Sequence, residues 1–191
     1  MTRDRILAAA RTLFVDPGYS AITHADIAIE AGIGRTTFYD YFNSKEDVLV
    51  ELVESELPTT SAEMLSSIPG DLPASQRFAE LACQMVEFVA TDPLGLLLHT
   101  DVPRLEPMLQ RRIAAAHEDL SDGFASLYGE AVADGQFRDT EPSLALRLVF
   151  EIIMAAGRWL KQRPDPKQDV HIAVDSTVGF LMRALSTDEV R

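Results

Sequence analysis

Cysteine is almost absent: Cys83 stands alone in 191 residues, so no internal disulfide can form and stability must come from packing. A chain of this kind suits a reducing cytoplasm, and the thiol is expected to be structural. Long apolar runs are missing too. None reaches the roughly 18 residues that a bilayer span requires, and Arg3, Asp4, Arg5 and Arg11 interrupt the N-terminus, so neither a membrane segment nor a signal peptide is expected. Positive charge is short, with 17 Lys and Arg against 30 Asp and Glu, a net of −13. There is no glycine-rich phosphate loop and no nucleophile motif, and the four histidines do not cluster with Cys or carboxylates at ligand spacing. His99 and Asp101 lack a third ligand. The sequence therefore calls for no catalytic residue, no cofactor and no metal. Alternating strand patterns, internal repeats and low-complexity tracts are likewise lacking.

What is present is helical periodicity. Hydrophobic residues make up 47% of the chain, ample for a sizeable core. Ile6, Ala10, Leu13 and Phe14 form a stripe over residues 3 to 14, stopped by Asp16-Pro17-Gly18. A further helix begins at Lys45 and carries Val48, Leu49, Leu52 and Val53 until Pro58. TTSAEMLSSIPGDLP, residues 59 to 73, reads as a loop with at most one short helical piece. Apolar faces resume at Phe78 to Val89 and around Leu94. Leu105 to Ala131 then predicts one amphipathic helix of roughly seven turns. Two last helices cover 142 to 161 and about 167 to 186, separated by Pro164 and Pro166. The reading is all-α, about nine helices: a three-helix head over 1–47 and a helical-bundle body over 48–191.

The stretch THADIAIEAGIGRTTFYDYFNSKED, residues 23 to 47, organises the rest. Thr23 caps a helix with Asp26 reaching back, and Ile22 and Ile27 are placed as a hydrophobic staple. Gly32 follows where a helix commonly ends in a left-handed residue. A second helix, Arg35 to Tyr41, places Phe38, Tyr41 and Phe42 on an anchoring side. Thr36, Thr37, Tyr39 and Asp40 project from the other side, with Arg35 leading. Such a polar rod fits the major groove of DNA. Ser44 caps the next helix with Asp47 in the reciprocal position, leaving Lys45 at a helix N-terminus where a phosphate can bind.

The pattern T-x-x-x-I-A-x-x-A-G-I-G-R-T-T-F-Y-D-Y-F-N-S-K-E-D-V-L resembles the DNA-binding head of the tetracycline-repressor (TetR) family over the first quarter of the chain. The resemblance implies that Thr23, Arg35, Thr36, Thr37, Tyr39 and Lys45 face double-stranded DNA, with Tyr39 and Lys45 mainly on phosphates. Two positions depart from the family. Gly34 replaces a frequent serine cap at a cost of a few tenths of a kcal/mol. Asp40 puts a negative charge on the groove side, where it either accepts from a cytosine amino group or repels the backbone. Residues 1 to 47 hold five basic and seven acidic side chains, so the acidity lies mainly in the body. Non-specific affinity should be low and salt dependence noticeable.

In the body, apolar residues Leu144, Leu146, Leu148, Val149, Ile152 and Ile153 occupy more than one side of their helix. That implies either a large internal core or a second copy packed on 142–161 and 167–186, with Ala155, Ala156, Gly157 and Gly179 allowing close approach. A homodimer of this kind resembles the family's and would set two heads on a palindromic operator. Met85, Phe88, Met108, Phe124, Phe150, Met154 and Trp159 are suited equally to lining an apolar effector pocket and to filling one, and His117 is its polar candidate. The expected function is a cytoplasmic, ligand-responsive repressor released from DNA by a small, largely apolar effector. The alternative is a helical small-molecule- or protein-binding module whose head is silent toward DNA. Changing Thr36 or Asp40 separates these by altering base preference only in the first case.

Overall fold

In a computed structural model of the chain, the described residues are 1–100, 102 and 105–187, without the side chains of Pro93, Leu96, His99, Thr100 and Lys167. The pair His99 and Asp101 weighed as metal ligands lies outside the described residues. These contain ten α-helices and no strand: α1 Thr2–Leu13, α2 His24–Glu30, α3 Arg35–Tyr39, α4 Lys45–Ser67, α5 Ala74–Thr91, α6 Pro93–Thr100, α7 Pro107–Ala116, α8 Glu118–Ala133, α9 Pro142–Lys161 and α10 Pro166–Leu185. The all-α expectation holds. An isolated bridge between Phe137 and Ser186 is the one strand-like pairing described. No helix among the described residues is long and apolar enough to cross a membrane.

The chain divides into two compact units. The first comprises Met1–Thr59 and Thr100–His117. Here α1 lies on α2, and α2 on α3, around Ile6, Ala10, Phe14, Ile27, Ala28, Phe38 and Phe42, each at most 4% exposed. Burying Phe38 completely contributes about 2–3 kcal/mol, which is why one aromatic suffices to seat a five-residue helix. Tyr41, expected beside it as an anchor, is instead 42% exposed, because α3 ends at Tyr39 and the chain turns before Phe42. Charged pairs tie α4 to its neighbours: Arg3 with Glu51 and Arg11 with Glu56 from α1, and Arg112 with Glu54 from α7.

The second unit comprises Thr60–His99 and the chain from Glu118 on, with α5 packed on α8, α9 and α10. Its centre is aromatic: Phe78 meets Phe124 and Phe137 edge-on, and Phe124 meets Phe150, at centroid separations of 5.2–5.3 Å. Arg138 and Thr187 bind the segment after α10 to the one after α8 through Arg138 N to Leu185 O and Thr187 N to Gln136 O.

Three sequence expectations are corrected. The loop drawn over 59 to 73 is helical to Ser67, since α4 continues through Pro58. Proline there leaves the Glu54 carbonyl without its donor, a cost of about 3 kcal/mol. Burial of Met64 at 9% exposure, with Leu65 and Ile68 packed on the core, offsets it. The serines that suggested a loop bond carbonyls three residues back, Ser66 to Glu63 and Ser67 to Met64. The single helix drawn across 105 to 131 is broken at His117, whose backbone leaves the helical region (φ −123°, ψ 24°) before Glu118 and Asp119 start α8. In the sequence, apolar residues keep recurring every three or four positions across His117, so periodicity does not register the break. Finally, Gly157 serves packing inside the chain: a Cβ there would stand 2.2 Å from Val89 Cγ1 on α5. Ala156 is buried, and Ala155 is exposed.

Candidate nucleic-acid interface

The turn between α2 and α3 is fixed from both sides. Gly32 adopts φ +64°, and Ile33 N–H donates back to Ala28 O at 2.9 Å. Arg5 of α1 donates to Ala31 O at 2.5 Å and Gly32 O at 3.2 Å, holding the end of α2 against α1. At the other end Thr23 N–H and hydroxyl both donate to Asp26 Oδ2 at 2.8 Å, while Asp26 N–H donates to Thr23 Oγ1 at 3.4 Å. These bonds hold the Asp26 carboxyl below the usual carboxylate range. The hydroxyl proton of Thr23 is thus committed to the cap.

Phe38 anchors α3, and on its far side Arg35, Thr36, Tyr39 and Asp40 are exposed, with Thr37 half-buried. These five lie together on the outward surface of one short helix. The Tyr39 hydroxyl sits 2.8 Å from His24 Nε2, and the Arg35 guanidinium lies over the Tyr39 ring at 5.8 Å. Asp40 caps the C-terminal end of α3. Ser44 Oγ accepts from Asp47 N–H at 3.1 Å, opening α4 as expected, while Asp47 reaches back to Asn43 N–H. Lys45 does not extend outward. Its ammonium donates to Tyr19 O at 2.8 Å and Ile22 O at 2.9 Å, and it lies 4.3 Å from the centroid of the Tyr19 ring. Two of its three ammonium protons are thus directed to backbone carbonyls of its own head. Sequence reasoning missed His24, whose only signal was its place beside the cap, and Arg5, which had none.

A compact helical pair, a glycine turn and a polar, aromatic-anchored second helix form the reading head of a helix-turn-helix. The description of bacterial regulatory proteins of the tetR family matches residues 6–52, and that of the tetracyclin repressor-like C-terminal domain matches residues 71–178, more than half of the chain. The chain belongs to the tetR family. Members of this family are transcriptional regulators. One relative, the HTH-type transcriptional repressor KstR2 of Mycolicibacterium smegmatis, is 27% identical over 170 residues, covering 83% of this chain and 79% of its own. Among solved structures, the regulator FadR from Bacillus subtilis in complex with stearoyl-CoA is 21% identical, with a TM-score of 0.78 over 95% of this chain and 98% of that one. AibR in complex with isovaleryl coenzyme A and operator DNA is 17% identical, with a TM-score of 0.74 over 95% and 98%. The protein is a helix-turn-helix transcriptional regulator.

The residues expected to line an effector pocket in this tetR-family chain fall in both units. Met85 and Phe124 are buried in the second unit's core, with Phe88, Phe150 and Met154 packed against it. Trp159 is 40% exposed and lies in a groove of about 470 Å³ between α9 and α10, with Ile172 and Phe180. Met108 and His117 belong to the first unit. Met108 is 61% exposed beside a cleft of about 670 Å³ that Tyr19, Ser44 and Glu106 also line. His117 is half-buried at the junction of α7 and α8, and desolvation lowers its pKa despite a bond with the Ile113 backbone.

Proposed function

We propose that this chain is a homodimeric repressor whose head over 1–47 reads a palindromic operator in the cytoplasm. The body over 48–191 binds its second copy and an acyl effector carried on coenzyme A. The observation that carries the DNA reading is the outward surface of α3, where Arg35, Thr36, Tyr39 and Asp40 stand exposed on a helix seated by a fully buried Phe38. Side chains of this type make the base and phosphate contacts of a recognition helix. Pairing through α9 and α10 is supported by their unpartnered apolar face, with Leu144, Leu148 and Phe180 each more than half exposed. A two-fold pairing sets the two heads one DNA turn apart, about 34–36 Å, or a multiple of it.

The effector class rests on the named relatives: FadR holds stearoyl-CoA, and AibR holds isovaleryl coenzyme A. In this chain the adaptable cluster of Met85, Phe88, Phe124, Phe150 and Met154 is the apolar environment an acyl chain would enter, displacing side chains that now fill it. Binding there gives the ligand its differential affinity for one conformation of the body, the requirement for moving the heads.

Selection of genomic fragments by the purified protein tests the first part. A palindrome that is enriched by the wild type and lost in Arg35→Ala, and shifted in sequence by Thr36→Ala, is the expected result. A folded protein that enriches nothing refutes it. Acyl-CoA thioesters graded in chain length, added to the selected duplex, test the second part. Release that depends on chain length supports the effector class, and indifference to every thioester removes it.

A further inference from the structure

His24 is the first residue of α2, and its imidazole lies against α3: 5.2 Å between ring centroids from Tyr39 and 5.8 Å from Phe38. Its Nε2 is 2.8 Å from the Tyr39 hydroxyl. The groups facing this pair are the Arg35 guanidinium, 5.8 Å from the Tyr39 ring centroid, from α3, and the Asp26 carboxyl, from its own helix. Asp26 is already occupied by two bonds from Thr23.

We propose that His24 and Tyr39 act together as a proton-linked phosphate clamp, in which His24 sets the direction of the phenol's hydrogen bond. With a neutral imidazole carrying its proton on Nδ1, Nε2 can only accept, so the Tyr39 O–H donates to His24 and its proton is unavailable to DNA. With an imidazolium, Nε2–H donates to the phenol oxygen. The phenol proton then turns outward to a phosphate oxygen, and the cation adds its charge beside that phosphate. One proton per head is taken up from solvent as the Nε2–H bond, the other changes are in hydrogen bonds alone, and an adjacent phosphate favours the charged ring. Histidine is the side chain that makes this exchange near neutral pH. DNA affinity is therefore strongest where the ring is charged and falls as pH rises.

The inference rests on the head binding DNA, but not on the operator, because a phosphate contact is independent of sequence. The test measures the affinity of the full chain for a random-sequence duplex at low salt from pH 6 to pH 8, with His24→Gln and Tyr39→Phe alongside. Gln preserves a hydrogen-bonding side chain without titrating. The wild type should bind roughly tenfold more tightly at pH 6 than at pH 8. His24→Gln should show a flat profile near the weaker limit and Tyr39→Phe a shallower slope than the wild type, because it keeps the imidazole charge but lacks the phenol proton, and both should keep the wild-type urea midpoint. A wild-type slope shared by His24→Gln overturns the clamp, as does a flat wild-type profile. Absence of binding by the wild type at every pH overturns the DNA reading and the clamp with it.

Discussion

Phe180→Ala tests the proposed pairing most directly. Phe180 lies on α10 and is 55% exposed in the single chain. A phenylalanine buries about 150–250 Å² when fully enclosed, so roughly 100 Å² remains for a partner to cover. At about 25 cal/mol per Å² this is worth ~2.5 kcal/mol. A two-fold interface uses the same patch twice, so the side chain contributes ~5 kcal/mol per dimer as an upper figure. Replacing it with alanine should raise the dimer dissociation constant by about three orders of magnitude, since each decade corresponds to roughly 1.4 kcal/mol. Sedimentation equilibrium over a wide concentration range reads this, with urea unfolding of the dissociated chain as control, because the exposed ring contributes little within one copy. Operator affinity should fall with dimerisation and recover at high protein concentration. A dissociation constant within tenfold of the wild type, or a wild type monomeric at all concentrations, refutes the assignment of this face.

Lys45→Met should lower the stability of the first unit by about 1–3 kcal/mol through loss of charged bonds to two backbone carbonyls, measured by denaturant titration without DNA; a purely phosphate-directed lysine would leave it unchanged. Gly129→Ala and Gly157→Ala form a matched pair. Both glycines lie within helices, where alanine gains about 1 kcal/mol, but a Cβ at 129 meets open space while one at 157 meets Val89 Cγ1. The first should stabilise the chain, and the second should be at least about 1 kcal/mol less stable than the first because overpacking costs roughly 1–3 kcal/mol. Equal urea midpoints would contradict that contact.

The head was legible because its signals are local. The Thr23 and Asp26 cap, the Gly32 turn and the Phe38 anchor each involve residues a few positions apart, and all three hold. What the sequence hid lies in long-range choices. The ammonium of Lys45 bonds carbonyls more than twenty residues earlier, and no local pattern distinguishes that from reaching solvent. Trp159 suits pocket lining and core equally by type and spacing, yet lies in a surface groove because α9 carries apolar residues on two sides and, among the described residues, one of them stays exposed. The extension of α4 past Pro58 likewise depends on packing Met64, Leu65 and Ile68 on the core, which outweighs local propensity.

The fate of the head's cations decides how DNA must be bound. Five basic residues lie in 1–47. Arg3 and Arg11 are paired with Glu51 and Glu56. Arg5 bonds the carbonyls of Ala31 and Gly32, and Lys45 those of Tyr19 and Ile22. Among the described residues of the head, Arg35 is the cation held by neither carboxylate nor carbonyl, and it lies over Tyr39 on the reading surface. A head with one such cation neutralises about one phosphate, and a dimer about two, so log affinity should fall against log salt with a slope of about −2 at pH 8. The proposed clamp makes the slope steeper at pH 6 than at pH 8, toward a limit of about −4 with one added charge per head. Filter binding across a salt series at the two pH values measures both. A slope of −6 or steeper at pH 8 would mean that the paired arginines leave their carboxylates for DNA, and the static ion pairs of α1 and α4 could not then describe the bound head.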